Sequence, residues 1–307
     1  MHIAAHKILL TPMVYYKMKE WGGESMELTA QIVKEMLPER DPWGHKGTFG
    51  KVFCLCGSVG FTGAPVFASR AVVRTGSGLV YLGVPQSVWE VVAKKCDEAM
   101  PFPLPDQGGK LALAAEPEIR SRIAGCDAAL IGCGMGRSDE SDALIRNLLD
   151  LDKPLVLDAD GINALQGAPE LLQSRQAPTI LTPHEGEFCR IGDLSAGREG
   201  SAAEFAKAYG VYLVLKGHRT VIASPDGQLA VNPTGNSGMA KGGSGDVLSG
   251  MILSLLGQGA DPFDACCAGV YCHGLAGDLA AGEKTEYAMT PTDMIEQIPA
   301  AYKKILG

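Results

Sequence analysis

Short apolar runs recur along the chain, each ending in glycine or polar residues and giving way to a stretch of helical spacing. Residues 51–56, 79–84, 128–131, 154–157, 179–181 and 211–215 read as buried strands, because their apolar positions are continuous rather than alternating. Between these runs the apolar period lengthens. Thr29 stands before Ile32, Val33, Met36 and Leu37, with Pro38 closing the segment, which predicts a helix capped by Thr29. A second helix is predicted over 64–75, with Val66, Ala68, Val72 and Val73 facing inward and Gly76-Ser77-Gly78 stopping it. Ser87 reads as the cap of a helix through Lys95, residues 141–149 as a further helix, and the apolar segment from Val247 to Leu256 as another. Continuous strands alternating with helices predict the α/β class: a largely parallel central sheet with helices on both faces.

Composition narrows this picture. With 307 residues, 46% of them hydrophobic, the chain can bury one large core, and no composition break or linker divides it. One domain over 26–307 is expected, preceded by an extension over 1–25. Met26 is a candidate true start, since Trp21-Gly22-Gly23-Glu24-Ser25 can be encoded by a purine-rich run resembling a bacterial ribosome-binding site. The extension holds only a short apolar run, Ile8-Leu9-Leu10, and no small-residue cleavage site, so export is not expected. Nor is a membrane span. A net charge of −8 argues against a generic nucleic-acid or anionic-membrane surface. The nine cysteines include no C-x-x-C pair and lie in apolar or helical contexts. Reduced thiols in a cytoplasmic protein are expected, rather than zinc or disulfides.

In open α/β sheets ligands bind beyond the carboxyl ends of the strands, and nearly every polar cluster of this chain falls there. The glycine loops after Cys56 and Ile131 either admit a ligand closely or make plain tight turns. Asp158 and Asp160, two apart after a strand, point in different directions, so at most one faces a ligand directly; alternatively Asp158 caps the next helix. His184 and Glu187 share one face of an emerging helical turn after Pro183. Ligand clusters are too sparse for an all-protein metal cage, which leaves Mg²⁺ held by phosphates, waters and Glu187. Lys216 and Arg219 flank Gly217 at a strand end and can neutralise a polyphosphate, or belong to a solvated turn.

The densest signal is the loop 232–246, which runs into the apolar helix. Gly243, Ser244 and Gly245 fall at its first turn, where backbone N–H groups lack acceptors and the helix dipole favours an anion. Neither a Walker A loop nor a G-x-G-x-x-G fingerprint is present. Asp246 is the odd residue there. A carboxylate beside a phosphate is repelled by it, so Asp246 is either a helix cap or a proton acceptor in phosphoryl transfer.

In order and spacing these residues resemble the ADP-dependent NAD(P)H-hydrate dehydratase family, which has a ribokinase-like fold. The resemblance runs from Leu28 to Leu306. It is carried by His45-Lys46-Gly47, Phe49-Gly50-Lys51-Val52, Gly63-Ala64-Pro65, the segments 76–80 and 132–136, and Glu98-Ala99-Met100. Further matches are Asp158-Ala159-Asp160-Gly161-Ile162-Asn163, Thr182-Pro183-His184-Glu185-Gly186-Glu187, the segments 232–250, 270–278 and 293–295, and Ile298-Pro299. Cys133 and Ser237 stand where the family often has proline, and Ser244 replaces a common threonine.

The resemblance implies a lyase that restores NAD(P)H from its hydrate, with ADP as phosphoryl donor and Mg²⁺ as cofactor. It implies that Ala64, Gly134, His184 and Asp246, with Asp160 and Asn163 beside them, contact the hydrated dinucleotide. Lys216, Gly217, His218, Arg219, Thr220 and Gly245 would contact ADP, and the N–H groups of Gly243, Ser244 and Gly245 would hold charge on the transferred phosphoryl group. Glu187 would be the acidic member of a Mg²⁺-water motif. A separate epimerase partner, interconverting the two hydrate epimers, and a homotetramer are also implied. Two other readings stay open: a small-molecule kinase of the same fold acting on a hydroxymethyl group of a vitamin precursor, and a nucleotide-binding sensor without catalysis.

Overall fold

The computed structural model describes residues 25–307; most of the proposed 1–25 extension, and with it the question of the true start, lies outside the described residues. The chain opens with β1 (Met26–Glu27), α1 (Ala30–Met36), β2 (Lys51–Leu55), α2 (Gly63–Thr75), β3 (Leu79–Pro85), α3 (Gln86–Ala93) and β4 (Met100–Leu104). A small antiparallel hairpin, β5 (Asp106–Gln107) and β6 (Lys110–Leu111), leads to α4 (Glu116–Ala124). The alternation resumes with β7 (Ala128–Ile131), α5 (Asp139–Asn147), β8 (Leu155–Leu157), α6 (Asp160–Asn163), β9 (Thr179–Leu181), α7 (Glu185–Phe188) and α8 (Gly197–Tyr209). It closes with β10 (Tyr212–Leu215), β11 (Val221–Ala223), β12 (Leu229–Val231), α9 (Ser244–Gly257), α10 (Pro262–Ala288) and α11 (Pro291–Leu306).

Among the described residues a ten-stranded sheet has the order β1-β12-β11-β10-β9-β8-β7-β2-β3-β4. All its pairings are parallel except those of β11, which runs antiparallel to β10 and to β12. Strand residues alternate between two cores, one on each face. Cys54, Leu82, Leu130, Val156, Ile180 and Val214 face α2, α9, α10 and α11, while Phe53, Ala129, Leu157, Leu181 and Leu215 face α4, α5 and α8. Burial on both faces explains why these strands appear in sequence as unbroken apolar runs. At Gly250 a Cβ would collide with the Ala68 carbonyl of α2, so glycine sets how closely α9 and α2 approach.

Helix ends show where local pattern and actual caps differ. Thr29 caps α1, its hydroxyl accepting from the Ile32 N–H at 3.3 Å. Ser87 does not cap α3: it sits inside the helix and bonds the Asp106 carboxylate instead, while Pro85 holds the cap position. The helix expected over 141–149 starts earlier, at Asp139, because Ser138 and Ser141 form a capping box ahead of the first apolar residue. Asp158 is likewise no cap. Ala159, at φ 49°, holds the cap position of α6, and the Asp158 side chain turns elsewhere.

Candidate active site

Strand order reverses between β2 and β7: the chain moves outward from β2 to β3 and β4, then returns to add β7, β8, β9 and β10 on the other side. Crevices form beyond the carboxyl ends of strands at such a switch point. Here the loops 57–63 and 132–137 line it and lock together. The Ser58 hydroxyl donates to the Gly134 carbonyl at 2.8 Å, and the Gly57 N–H donates to the Cys133 carbonyl at 2.9 Å. A Cβ on Gly134 would lie 2.8 Å from that of Ala64, so these two candidate substrate contacts are neighbours.

The N-terminus of α9 points into the same crevice. Gly243 is its cap, at φ 104°, and a Cβ there would lie 2.7 Å from the Phe67 ring, so both backbone and packing require glycine. Among the described residues the N–H groups of Gly243, Gly245 and Asp246 meet no acceptor, whereas that of Ser244 donates to the Lys241 carbonyl at 3.2 Å. The open donors therefore include Asp246 and leave out Ser244. Lys241 fixes the loop from below, its ammonium donating to the carbonyls of Glu286, Tyr287 and Met289 at 3.0, 3.2 and 2.7 Å. Buried His273 lies 2.9 Å from the Ser244 carbonyl through Nε2. Burial lowers its pKa to about 4, so the ring is neutral and donates to that carbonyl.

Three carboxylates and one ammonium meet at the first turn of α9. The Lys216 Nζ lies 2.8 Å from Asp158 Oδ1 and 3.8 Å from Glu187 Oε2. Burial works against both charges of the close pair, but each partner outweighs it: Lys216 is held above its ordinary pKa and Asp158 below. Asp246 has the opposite fate. Burial, reinforced by the charges of Asp158 and Asp160, pushes its pKa up to about 7, against smaller downward effects of Cys133 and Lys216. No backbone N–H donates to its side chain among the described residues, which counts against a capping role. A carboxyl group poised near neutrality suits proton transfer.

His184 and Glu187 cap α7 reciprocally: the Glu187 N–H donates to His184 Nδ1 at 3.2 Å, and Glu187 Oε2 accepts from the His184 N–H at 2.9 Å. A bridge between His184 and Lys216 extends the β9–β10 pairing into the site. Asp160 and Asn163 diverge from the cluster. Asp160 accepts from the Gly136 N–H at 2.8 Å and from Asn163 Nδ2 at 3.3 Å, pinning the 132–137 loop, and the Asn163 amide oxygen accepts from Arg190. Gly217, His218, Arg219 and Thr220 form the tight β10–β11 connection. Thr220 bonds back to Gly217, the His218 carbonyl accepts from Arg198, and the half-exposed Arg219 pairs with Glu27 at 2.6 Å. Lys216 thus reaches the Asp246 cluster and Arg219 does not.

Of the functional candidates here, Asp158 is read in sequence as either a ligand-facing residue or a helix cap, whereas Cys133 and His273 are given no role. Asp158 could be found from the strand-end position it shares with Asp160; no sequence signal announces the contacts of the other two. For Mg²⁺, the protein atoms do not form a cage. Among the described residues, Cys133, Asp158 and Asp246 alone bring three ligand atoms within 4.8 Å of one another, and the Lys216 ammonium against Asp158 opposes a dication there. Glu187 is partly spent on capping, its Oε2 accepting from the His184 N–H and its Oε1 lying 3.5 Å from His184 Nε2.

A Cβ at Gly245 would lie 3.2 Å from Lys216 Nζ and 3.7 Å from Asp158 Oδ2, in the space above the open N–H groups. Gly245→Ala is therefore expected to preserve or raise thermal stability, since alanine favours helix by about 1 kcal/mol, while lowering turnover at least ~10-fold. Unchanged steady-state kinetics in the alanine variant would remove the anion-cradle reading.

A mostly parallel sheet with an antiparallel β11 insert, and a glycine-capped helix carrying an aspartate at the switch point, define the ribokinase-like class. A sequence profile of the NAD(P)H-hydrate dehydratase family matches residues 52–300, and the chain belongs to that family. It is 34% identical over 281 residues to the ADP-dependent (S)-NAD(P)H-hydrate dehydratase of Bacillus subtilis (strain 168), covering 90% of this chain and 97% of that protein. The crystal structure of an ADP/ATP-dependent NAD(P)H-hydrate dehydratase from Bacillus subtilis, co-crystallised with ATP/Mg²⁺, aligns with a TM-score of 0.80 at 31% identity, covering 92% of this chain and 99% of that one. The bifunctional NAD(P)H-hydrate repair enzyme Nnr of Moorella thermoacetica is 41% identical over 285 residues, or 91% of this chain and 54% of that protein. The chain spans about half the length of the bifunctional relatives it matches.

Proposed function

We propose that this protein is an ADP-dependent hydro-lyase that returns the S-epimer of hydrated NADH or NADPH to NAD(P)H, releasing AMP and phosphate. The observation that carries this reading is Asp246: a desolvated carboxyl group with a pKa of about 7, set at a helix N-terminus among open N–H groups. Hydration of the nicotinamide ring leaves a hydroxyl on C6, and hydroxide leaves poorly at neutral pH. Asp246 accepts the hydroxyl proton as its oxygen bonds to the β-phosphorus of ADP and the bond to AMP breaks. The N–H groups of Gly243, Gly245 and Asp246 hold charge on the transferring group, and Lys216 adds a fixed positive charge beside them. The C6–O bond then breaks with phosphate as leaving group, a ring proton is lost, and the double bond returns.

In this reading Ala64, Gly134 and His184 line the dinucleotide side of the crevice, with Asp160 and Asn163 supporting the loop behind Gly134. The connection from Lys216 to Thr220 and the backbone at Gly245 form the nucleotide side. Mg²⁺ would be held mainly by nucleotide phosphates and water, with Glu187 as an outer partner, and would neutralise phosphate charge. A separate epimerase is the natural functional partner, because epimerase activity widens the pool of usable hydrate. Nine free cysteines and the net charge of −8 fit a cytoplasmic protein that binds neither nucleic acid nor membrane. No helix among the described residues is long and apolar enough to cross a membrane. A homotetramer is the proposed assembly.

A matrix of donors and acceptors tests the reading. Hydrated NADH with ADP is expected to regain reduced-nicotinamide absorbance, and hydroxymethyl pyrimidines or thiazoles with ATP are expected to yield no phosphate ester. Turnover with ATP alone, ADP being inert, would contradict the proposed donor; phosphorylation of a vitamin alcohol with no action on the hydrate would favour the kinase reading.

A further inference from the structure

Arg198 stands in the first turn of α8, a helix whose cap position is held by Ala196 with no side-chain hydrogen bond. A cation there opposes the helix dipole, so the helix end itself does not favour arginine. Contacts beyond the helix explain the choice. The guanidinium donates through Nη2 to the Leu215 carbonyl at 3.0 Å and through Nη1 to the His218 carbonyl at 2.6 Å, and its Nε lies 3.1 Å from Glu185 Oε1. One planar group thus brackets the start of the β10–β11 connection and ties it to the first residue of α7, the helix capped by His184. A Cβ at Gly217 would lie 2.6, 3.1 and 3.3 Å from three atoms of that guanidinium, so glycine is what lets Arg198 lie against the backbone. Resting on the reading of this connection as the ADP side of the site, we propose that Arg198 is a positioning residue for ADP: it holds residues 217–219 in the shape that binds the nucleotide and takes no part in proton transfer at Asp246.

Two features of the connection need such a hold. Arg219 has φ 55°, in the left-handed region that a non-glycine residue occupies only when its surroundings impose it. Across the trans peptide between His218 and Arg219 the carbonyl and N–H point opposite ways, so a carbonyl drawn to Arg198 turns the Arg219 N–H away from it. That N–H and the N–H of His218 meet no acceptor among the described residues, which leaves both as donors for a phosphate oxygen. The remaining contacts do not fix this peptide. The Thr220 hydroxyl bonds back to Gly217 within the connection, and the half-exposed Arg219 pairs with Glu27 through its side chain. Among the described residues Arg198 is the one side chain from outside the connection that bonds the backbone of 217–219. Lys216 is held independently of it, its N–H donating to the Pro183 carbonyl at 2.8 Å and its ammonium lying 2.8 Å from Asp158, so loss of Arg198 leaves the cluster around Asp246 in place.

Equilibrium titration with ADP alone, and steady-state kinetics with hydrated NADH, test the assignment on wild type, Arg198→Ala and Arg198→Lys. Arg198→Ala is expected to weaken ADP binding and raise KM for ADP by about 10-fold or more, as losing hydrogen bonds from a charged donor does, while kcat at saturating ADP falls less than about twofold. KM for the hydrate and the acid limb of the pH profile are expected to match wild type. Lysine keeps a charge beside Glu185, and with it the fold, but cannot reach both carbonyls and Glu185 at once, so Arg198→Lys is expected to bind ADP nearly as weakly as the alanine variant. Wild-type ADP affinity in either folded variant would overturn the proposal and leave the dehydratase reading intact. So would a kcat that falls in step with melting temperature while KM for ADP stays fixed, since that is the behaviour of a purely structural arginine. Weakened ADP binding in both variants, with a wild-type enzyme that leaves the hydrate unchanged, would keep the positioning role and overturn the function it serves.

Discussion

Asp246→Asn is expected to lower kcat by about 10²- to 10⁴-fold, the usual range for removing a general base, with ADP affinity unchanged or slightly improved. The substitution keeps the shape and one hydrogen-bonding oxygen but loses the charge and the basic site. Affinity is expected to hold because the open N–H groups of Gly243, Gly245 and residue 246 belong to the backbone and survive the change. Stability is expected to rise if anything, because asparagine relieves both the desolvation of the carboxylate and its repulsion from Asp158. Higher melting temperature with collapsed single-turnover rate is the signature of a site that sacrifices stability for chemistry. A folded asparagine variant with near-normal turnover would remove Asp246 from the chemistry.

Lys216→Met is expected to destabilise the fold by about 3 kcal/mol or more and to abolish most turnover, because it strands the buried Asp158 carboxylate without its partner. It also removes the cation that helps keep Asp246 ionised, so any residual activity should have its acidic limb at higher pH. Adding Asp158→Asn to Lys216→Met removes the stranded charge. The double variant is therefore expected to be more stable than Lys216→Met alone, while remaining inactive for lack of the cation. Equilibrium urea unfolding of the two single variants and the double variant measures this coupling. Additive losses would show that the 2.8 Å contact contributes nothing beyond its separate parts.

The sheet was legible in sequence wherever a strand is buried on both faces, because short continuous apolar runs such as 128–131 and 211–215, bounded by glycine or polar residues, are the pattern a doubly covered strand leaves. Short and edge elements were not. β11 and β12, three residues each like β8 and β9, form an antiparallel pair with no helix between them and so fall outside the strand–helix alternation, and β1 and the β5–β6 hairpin are two-residue strands, too short for periodicity to register. The open N–H groups at Gly243 and Gly245 were legible because glycine density before an apolar helix has a direct steric meaning. What sequence could not show is which groups face each other across strands. Lys216 and Asp158 stand 58 positions apart and meet only because β8, β9 and β10 are neighbours in the sheet. The turning of Arg219 toward Glu27 follows from β1 pairing with β12, an edge contact that no local pattern announces. Ser244 looked like an anion donor from its position alone, yet its N–H is spent on Lys241 in the turn that brings Gly243 into place.

The proposed coupling of phosphoryl transfer to loss of the C6 oxygen at one site can be measured directly. A single-turnover experiment with excess enzyme, hydrated NADH and ADP, quenched at intervals, measures NADH, AMP and inorganic phosphate together. One NADH and one phosphate are predicted for each AMP, with AMP appearing no later than NADH. NADH formed without AMP, or AMP and phosphate released with the hydrate left intact, would contradict it.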